Sequence, residues 1–568
     1  MRSKIKIIQY FLSILLILTS SFLYSQSASK VDKRPNIIII LADDMGFSDI
    51  GCYGGEIQTP NIDYLASKGL RFSQFYNASR CCPTRAALLT GLYNHQAGIG
   101  NMSFDQQQPG YRGYLTENTI TIAELLRSGG YKTGMVGKWH VANTKPLPDK
   151  KEHLAWLNHQ ADKGNFAPLD QYPTARGFDK YYGNIWGVVN FFDPFSLVNG
   201  TEPVKSVPKD FYYTDAINDT ASAYIKEFSK SEKPFFLYVA QTAPHWPLHA
   251  LPEDIKKYEN TYKIGWDAIR EQRLKKMVEK GVFPANKNLL SPRYKGELKW
   301  DEYPGKEWEA YAMAVRAAMV DRMDQGIGRI IKTLRETGEL DNTLILFLSD
   351  NGASCDDAQD YRPGLDRPGE TRTGKQIIYP VDKSVLPGPE TTFASTDTMW
   401  SNVANTPFRY WKMESYEGGI CTPMVAFWPE GIKAKPGSVT TQVGHVIDFM
   451  ATVKEMSGVT YPSIFKGNNI TPTEGESLLP IFKNGTRKGH EYIFFEHVRG
   501  RAVRYGDWKL VTLGPKRQWE LYNIKNDRTE TNNVAAEHPD LVEKLKNKWN
   551  EWANKNKVLP KPDVKSKE

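Results

Sequence analysis

Three unbroken apolar segments constrain the fold of this chain more than any other feature. They are Asn36–Ala42, Pro234–Ala240 and Thr343–Ser349, and each is rich in β-branched or aromatic residues. An apolar run without polar alternation predicts a strand that is buried on both faces, as in a parallel sheet covered by helices. We therefore predict an α/β fold with a large mixed, mostly parallel sheet. Further strands are predicted at 132–136 and 423–428.

Helical signals separate the predicted strands. Residues 59–69 begin with a cap and a proline and end on a glycine, and residues 118–129 form a second capped, amphipathic segment. Residues 307–337 repeat apolar side chains at helical spacing over a long stretch. We expect these helices to flank the sheet.

The composition changes near Gly458. Beyond it, turn residues separate four short predicted strands, and an amphipathic helix is predicted at 539–553. We therefore divide the chain into a main domain at 34–458 and a smaller α+β subdomain at 459–556. The Lys- and Pro-rich tail at 557–568 is expected to be frayed.

Oxygen-rich pairs follow two of the buried segments. Asp43 and Asp44 come directly after the first segment, and Asp350 and Asn351 come directly after the third. Ligands of open α/β sheets bind at the carboxyl ends of the strands, and adjacent carboxylates repel each other unless a cation holds them. Four hard oxygen donors without a soft one favour Ca²⁺ or Mg²⁺ over Zn²⁺. Taken alone, Asp43 and Asp44 also fit a helix N-cap followed by a solvated aspartate.

The segment Ser79–Gly91 contains polar residues that packing does not explain. Pro83 suits the first turn of a helix, and the Ala-Ala-Leu-Leu run that follows favours helix. A group derived from the Cys81 thiol would face free backbone N–H groups at the helix N-terminus, with Arg85 on the same side. This geometry favours binding of an anion. A redox pair of Cys81 and Cys82, or two buried thiols, remains the alternative.

Three more basic side chains follow predicted strands. Lys138 and His140 come after the strand at 132–136, and His245 lies between two prolines after the second apolar segment. Residues two apart in an extended chain share a face, which would bring Lys138 and His140 together. Taken alone, a lysine such as Lys138 is more often a surface lysine, and a histidine such as His140 more often makes an ordinary polar contact.

Two long irregular regions are predicted near the strand ends. Residues 352–405 are rich in Gly, Pro, Thr and Asp and are expected to form a loop over the site. Residues 141–232 are loop-rich and carry an aromatic cluster that would either line a sugar-binding cleft or anchor the loops in the interior. The cluster consists of Trp186, Phe191, Phe192 and Phe195.

The motif Cys81-x-Pro83-x-Arg85, followed by Leu89-Thr90-Gly91, resembles the signature of the formylglycine-dependent sulfatases. In that family the cysteine is oxidised after translation to an aldehyde, 3-oxoalanine, by a formylglycine-generating or an anaerobic sulfatase-maturating enzyme. The resemblance extends over most of the chain and implies an alkaline-phosphatase-like fold. It includes the segments Gly137-Lys138-Trp139-His140, Pro244-His245, Ser349-Asp350-Asn351-Gly352, Lys412 and Glu417-Gly418-Gly419.

The resemblance also implies a metal site. One Ca²⁺ ion, in preference to Mg²⁺ or Mn²⁺, would be bound by an oxygen of the residue derived from Cys81 and by four further side chains. Those side chains are Asp43, Asp44, Asp350 and Asn351.

The remaining roles follow from the same resemblance and from the charge of a sulfate ester. Attack at sulfur builds negative charge on its oxygens, so fixed cationic donors are the expected stabilisers. The residues around the sulfate would be Arg85, Lys138, His140, His245 and Lys412.

Among these residues, His140 would be the base, whereas His245 and Lys138 suit protonation or stabilisation of the leaving oxygen. His497 is either a substrate contact or a structural histidine. Cys421 stands where relatives often carry a basic residue.

The N-terminus has the layout of a secretory signal peptide at 1–25, with basic residues, an apolar run at 7–18 and small residues after it. The run is short for a membrane span, so we expect a soluble, periplasmic or secreted protein. The net charge of +8 over 568 residues indicates a solvated surface rather than a nucleic-acid site. Five cysteines are too few for a disulfide scaffold.

The sequence thus predicts a secreted sulfatase that uses formylglycine and Ca²⁺ and acts on a sulfated polysaccharide or oligosaccharide. A phosphonate monoester or phosphodiester hydrolase of the same superfamily is the enzymatic alternative. A non-catalytic carbohydrate-binding protein is the alternative of another class.

Overall fold

The computed structural model describes residues 32, 34–284, 290–294, 297–514 and 517–562. The predicted signal peptide at 1–25 lies outside the described residues. Judged by length and apolar content, none of the helices in these ranges qualifies as a bilayer-spanning segment.

The strands are numbered along the described chain. They are β1 (Asn36–Ala42), β2 (Leu70–Tyr76), β3 (Lys132–Gly137), β4 (Lys180–Asn184), β5 (Leu197–Asn199), β6 (Glu202–Pro203), β7 (Phe235–Ala240), β8 (Thr343–Ser349), β9 (Cys421–Phe427), β10 (Ser438–Thr440), β11 (Gly444–His445), β12 (Ile464–Phe465), β13 (Asn468–Asn469), β14 (Tyr492–His497), β15 (Gly500–Tyr505), β16 (Trp508–Thr512) and β17 (Glu520–Asn523).

The α-helices are numbered in the same way. They are α1 (Pro60–Lys68), α2 (Cys81–Thr90), α3 (Ile122–Ser128), α4 (Lys150–Leu157), α5 (Tyr213–Phe228), α6 (Pro252–Lys256), α7 (Gly265–Glu279), α8 (Lys306–Glu336), α9 (Thr398–Ala404), α10 (Glu417–Ile420), α11 (Asp448–Ser457), α12 (Leu479–Asn484) and α13 (Pro539–Lys555).

An eleven-stranded sheet forms the centre of the molecule, in the order β10-β2-β9-β8-β1-β7-β3-β4-β5-β6 with β11 also paired to β2. Strand β1 lies between β7 and β8 and is parallel to both. Strand β9 is antiparallel to β8 and β2, which makes the sheet mixed. The predicted α/β fold with a mostly parallel sheet is confirmed.

The two faces of β1 explain why its sequence is apolar throughout. Ile38 and Ile40 pack in a core with the long helix α8 and with α1 and α5. Ile37, Ile39 and Leu41 point the other way, into a core with α2, α3 and α11. A central strand that is covered on both faces cannot alternate polar and apolar residues.

The register places the ends of the central strands side by side. Ala42 of β1 pairs with Ser349 of β8, Leu41 pairs with Ala240 of β7, and Gly137 of β3 also pairs with Ala240. The residues that follow these strands therefore leave the sheet at one edge. This edge holds the candidate site.

The C-terminal part forms a four-stranded antiparallel sheet, β14-β15-β16-β17, with α13 packed on it, as predicted. The expected fraying at 557–568 is wrong for residues 557–562. Val558 is fully buried and its carbonyl accepts a 2.9 Å hydrogen bond from the Tyr111 hydroxyl, while the Lys561 ammonium contacts Glu496. An apolar anchor therefore holds this part of the tail.

Buried charges join the C-terminal sheet to the main sheet. The Lys509 ammonium of β16 lies 3.0 Å from Glu417 and 2.7 Å from Glu530, and all three side chains are fully buried. Arg528 lies 3.4 Å from Glu417 and 3.5 Å from the Cys421 sulfur. A guanidinium from the C-terminal part therefore lies beside Cys421.

Replacement of Lys509 by Met should destabilise the protein by about 3–5 kcal/mol, because it leaves two buried carboxylates without their shared ammonium. Thermal and urea unfolding measure the loss. The matched control is Lys546→Met, which removes the ammonium of an exposed pair with Glu543 (2.9 Å). That variant should lose less than about 1 kcal/mol. Equal losses in the two variants would contradict the proposed importance of the buried network.

Candidate active site

Four oxygen-bearing side chains meet at the edge where β1 and β8 end. Asp43, Asp44, Asp350 and Asn351 are all almost completely buried. The Asn351 amide donates a 2.6 Å hydrogen bond to Asp44 Oδ1, and the Asp44 backbone N–H donates to Asp350 Oδ1 at 3.2 Å. Asp44 has a φ of +63°, a left-handed conformation that bends the chain directly after Asp43.

This set fits a hard cation. Asp43 Oδ1 and Asn351 Oδ1 are buried and have no hydrogen-bond partner in the described structure, although buried acceptors normally have one. Burial and the charge of Asp43 raise the pKa of Asp350 well above its ordinary value. Burial alone would also raise the pKa of Asp43, but Lys138, His245 and Arg85 hold it at about 2. Crowded oxygen donors with unused lone pairs are suited to Ca²⁺ or Mg²⁺.

Cys81 begins helix α2, and every residue of this helix is buried. The sulfurs of Cys81 and Cys82 and a ring nitrogen of His140 lie within 4.8 Å of one another. A hydrogen bond from Cys82, with the charges of Lys138 and His140, lowers the pKa of Cys81 well below its ordinary value. Both cysteines are free thiols, as are Cys52, Cys355 and Cys421. The structure therefore contains no Cys81–Cys82 disulfide.

Basic side chains surround this centre from four different segments. The Lys138 ammonium lies 2.6 Å from Asp43 Oδ2, and the Lys412 ammonium lies 2.9 Å from Asp44 Oδ2. Arg85 contacts Asp350 Oδ2 at 2.9 Å and donates to the Lys138 carbonyl at 2.8 Å. The predicted members Asp43, Asp44, Cys81, Arg85, Lys138, His140, His245, Asp350, Asn351 and Lys412 are brought together at this edge.

The two histidines of the centre differ in their surroundings. Burial lowers the pKa of His140 to about 4, which keeps its imidazole neutral, and its Nδ1 has no hydrogen-bond partner among the described residues. Gly187 leaves room for this ring, since a Cβ there would lie 2.6 Å from it. His245 Nε2 lies 3.3 Å from the Lys412 ammonium, and its Nδ1 lies 2.6 Å from the Trp246 carbonyl. His140 is therefore arranged to accept a proton, and His245 lies against the Lys412 ammonium.

His497 occupies a position behind the first turn of α2. It is fully buried at the end of β14, and its Nε2 lies 3.5 Å from the Arg80 guanidinium. Burial and Arg80 lower its pKa to about 3. The structure thus places His497 against Arg80, the residue before Cys81, and a substrate contact of His497 stays a prediction.

Asp356 is a further charged group beside the site, and the sequence did not indicate it. The Asp356 carboxylate accepts a 2.9 Å hydrogen bond from the Trp246 indole and lies 3.8 Å from the Lys412 ammonium. Arg80 and Lys412 both lower the pKa of Asp356, against the effect of burial, to about 2. The sequence could have indicated Trp246 as a residue near the site, because it directly follows His245. Asp356 lies in a loop whose sequence does not indicate a contact with Lys412.

The aromatic cluster of the 141–232 region anchors loops in the interior. Trp186, Phe191 and Phe195 are buried, and Trp186 and Phe195 pack edge-on against each other and against Trp156. Only Phe192 is partly exposed. Of the two interpretations of this cluster, burial is the correct one for three of its four members.

Comparison with known proteins decides the family. The family model described as Sulfatase matches residues 35–459, which is most of the chain. The chain belongs to the sulfatase family. A second model, N-sulphoglucosamine sulphohydrolase, C-terminal, matches residues 409–555. The protein is therefore a sulfuric ester hydrolase, and the predicted family is confirmed.

Individual relatives cover most of this sulfatase. An uncharacterized sulfatase of Schizosaccharomyces pombe is 33% identical over 94% of this chain and 95% of its own. An arylsulfatase of Klebsiella aerogenes is 33% identical over 79% of this chain and 92% of its own. The crystal structure of Ps i-CgsB in complex with k-i-k-neocarrahexaose is 25% identical, with a TM-score of 0.62 over 92% of this chain and 93% of that chain.

Binding of Ca²⁺ should stabilise this sulfatase through the oxygen set. We expect Ca²⁺ at 100 times its Kd to stabilise the metal-stripped protein by about 2.7 kcal/mol, measured as a rise in unfolding temperature. Asp43→Asn should lose most of this rise. Asp356→Asn should keep this rise in unfolding temperature, because Asp356 is a neighbouring carboxylate outside the oxygen set. An unchanged Ca²⁺ effect in Asp43→Asn would exclude Asp43 as a ligand.

Proposed function

We propose that this sulfatase hydrolyses sulfate esters of a sulfated polysaccharide or oligosaccharide, with a formylglycine made from Cys81 and one bound Ca²⁺ ion. The observation that carries the proposal is the position of Cys81 between an oxygen donor set and a group of basic side chains. A thiolate is a soft ligand and matches a hard cation poorly, whereas an aldehyde hydrate offers an oxygen. The residue made from Cys81 therefore fits this place better than Cys81 itself.

The proposed modification requires access to the signature before folding is complete. Cys81 is 2% exposed, and the whole of α2 is buried. A formylglycine-generating or anaerobic sulfatase-maturating enzyme would therefore act on the segment while it is still extended. The hydrated aldehyde supplies a nucleophilic hydroxyl and a second hydroxyl whose deprotonation releases the sulfate.

The side chains of this chain then have separate tasks. Lys138 and Lys412 bind sulfate oxygens and offset the charge that grows on them during attack at sulfur. Arg85, fully buried between Asp350 and the Lys138 backbone, holds the orientation of these groups. His140, neutral and beside Cys81, accepts the proton of the second hydroxyl. His245, whose Nε2 lies 3.3 Å from the Lys412 ammonium, protonates or stabilises the leaving alcohol oxygen.

The proposed metal would be held by the oxygens of Asp43, Asp44, Asp350 and Asn351, with the residue made from Cys81. When bound, it supplies positive charge next to the sulfate and offsets the repulsion between the carboxylates. The free oxygens of Asp43 and Asn351 support this assignment.

A carbohydrate substrate is supported by the solved relative that holds a neocarrahexaose. A signal peptide at 1–25 would place the enzyme in the periplasm or outside the cell, where polysaccharides are encountered. A non-catalytic carbohydrate-binding protein would have no need for the buried charges around Cys81, since burial of charges without a function is costly.

Cys81→Ser should reduce kcat on 4-nitrophenyl sulfate by at least about 100-fold, since a sulfated serine has no second hydroxyl to expel the sulfate. Peptide mass spectrometry should show the mass loss of thiol-to-aldehyde conversion at Cys81. Cys82→Ser is the matched control and should keep the conversion at Cys81. An unmodified Cys81 in fully active enzyme would refute the formylglycine proposal.

Aryl sulfates should be turned over faster than aryl phosphonate monoesters. The expectation follows from the family, since the model that matches residues 35–459 is that of the sulfatases. Parallel measurement of kcat/KM on the two 4-nitrophenyl esters gives the comparison. A higher kcat/KM for the phosphonate would favour the alternative hydrolase function.

A further inference from the structure

Several loops and parts of two helices form a cavity of about 1190 Å³. Its walls come from the loop around Phe192, the segment 205–209, the start of α6 and the segment 371–390. None of the predicted site residues lines it. The catalytic geometry described above therefore leaves this cavity without a role.

Hydrogen bonds between the loops fix the walls. The Arg372 backbone and guanidinium bind Asp193 at 2.7 and 2.5 Å, and the guanidinium also donates to the Val204 carbonyl at 2.8 Å. The Asn190 amide donates to the Glu390 carbonyl at 2.8 Å. These contacts join segments about 180 to 200 residues apart, so the cavity has a defined shape without a ligand.

The segment that follows His245 connects the active site with the cavity. His245 and Trp246 belong to the site, and Ala250, a few residues later, lines the cavity. The Ala250 N–H donates to the Gly388 carbonyl at 3.1 Å, and the Leu248 N–H donates to Ala394 at 2.8 Å. Five residues of extended chain span at most about 18 Å, which sets the upper limit between His245 and Ala250. An oligosaccharide, but not a monosaccharide, can bridge such a distance.

The charges of the cavity favour an anion. Five cationic side chains and three carboxylates line it, and two of the carboxylates are already paired, Asp193 with Arg372 and Glu390 with Lys375. Lys209 and Lys256 are exposed on its walls. Phe192 and Tyr311 are partly exposed and offer aromatic faces, which suit sugar rings. A chain of sugars that carries sulfate groups matches both features.

From these observations we infer that the cavity binds part of a sulfated oligosaccharide. Another part of the same oligosaccharide would carry the sulfate ester that is hydrolysed at Cys81. This inference rests on the proposed function. It implies that the enzyme prefers sulfated oligosaccharides to small aryl sulfates, because only the longer chain reaches Lys209 and Lys256. The cavity adds binding energy without taking part in the bond-breaking step.

The test is the double variant K209E/K256E, with K546E/K548E on α13 as a control of equal net charge. On a sulfated carrageenan hexasaccharide, K209E/K256E should lower kcat/KM about tenfold, chiefly through KM. On 4-nitrophenyl sulfate both variants should match the parent enzyme. Equal loss on both substrates, or no loss on the hexasaccharide, would overturn the inference.

Direct binding separates this inference from the proposed function. Calorimetry with the Cys81→Ala protein measures the affinity for the sulfated hexasaccharide and for its desulfated form without turnover. We expect K209E/K256E to weaken binding of the sulfated form about tenfold. Equal affinity for the two forms, or an unchanged affinity in the double variant, contradicts an anion-binding cavity. Loss of activity on every sulfate ester, with this binding intact, would instead contradict the catalytic proposal alone.

Discussion

Asp43 and Asp350 leave neighbouring parallel strands at the same buried edge, and the repulsion between their carboxylates governs the centre of this structure. Burial removes the water that would screen them, so their charge must be offset by nearby groups. Lys138, Arg85 and Lys412 supply positive charge from three other segments. Ion pairs with the buried carboxylates thus help to hold the loops and helices that carry these side chains. The same buried charges suit the edge to a divalent cation and an anionic substrate.

The position of α2 follows from that demand. Its N-terminus brings Cys81 and the free backbone N–H groups toward the edge, while Arg85 one turn later binds Asp350. A helix buried along its whole length cannot shift without disturbing the core on both sides. The proposed nucleophile and the cations around it are therefore fixed relative to each other before a substrate arrives, which would reduce the reorganisation that the proposed reaction requires.

The C-terminal sheet contributes to the same framework from a distance. Lys509 and Arg528 bind Glu417, which begins the short helix before β9. Strand β9 pairs with β8, whose end carries Asp350. Contacts between the two sheets therefore help to position one side of the active site, although no residue of the C-terminal sheet is among the proposed metal ligands.

The sequence by itself determined the central strands, the long helix and the signature around Cys81, because local apolar patterns and short motifs dictate local structure. It also placed the oxygen-bearing pairs at one edge, since parallel strands end together. Only the tertiary structure decided that Asp356 meets Trp246 and Lys412, that Arg528 lies beside Cys421, and that loops far apart in the chain enclose a cavity. Such contacts join residues separated by up to hundreds of positions, and they depend on how whole elements pack rather than on any local pattern.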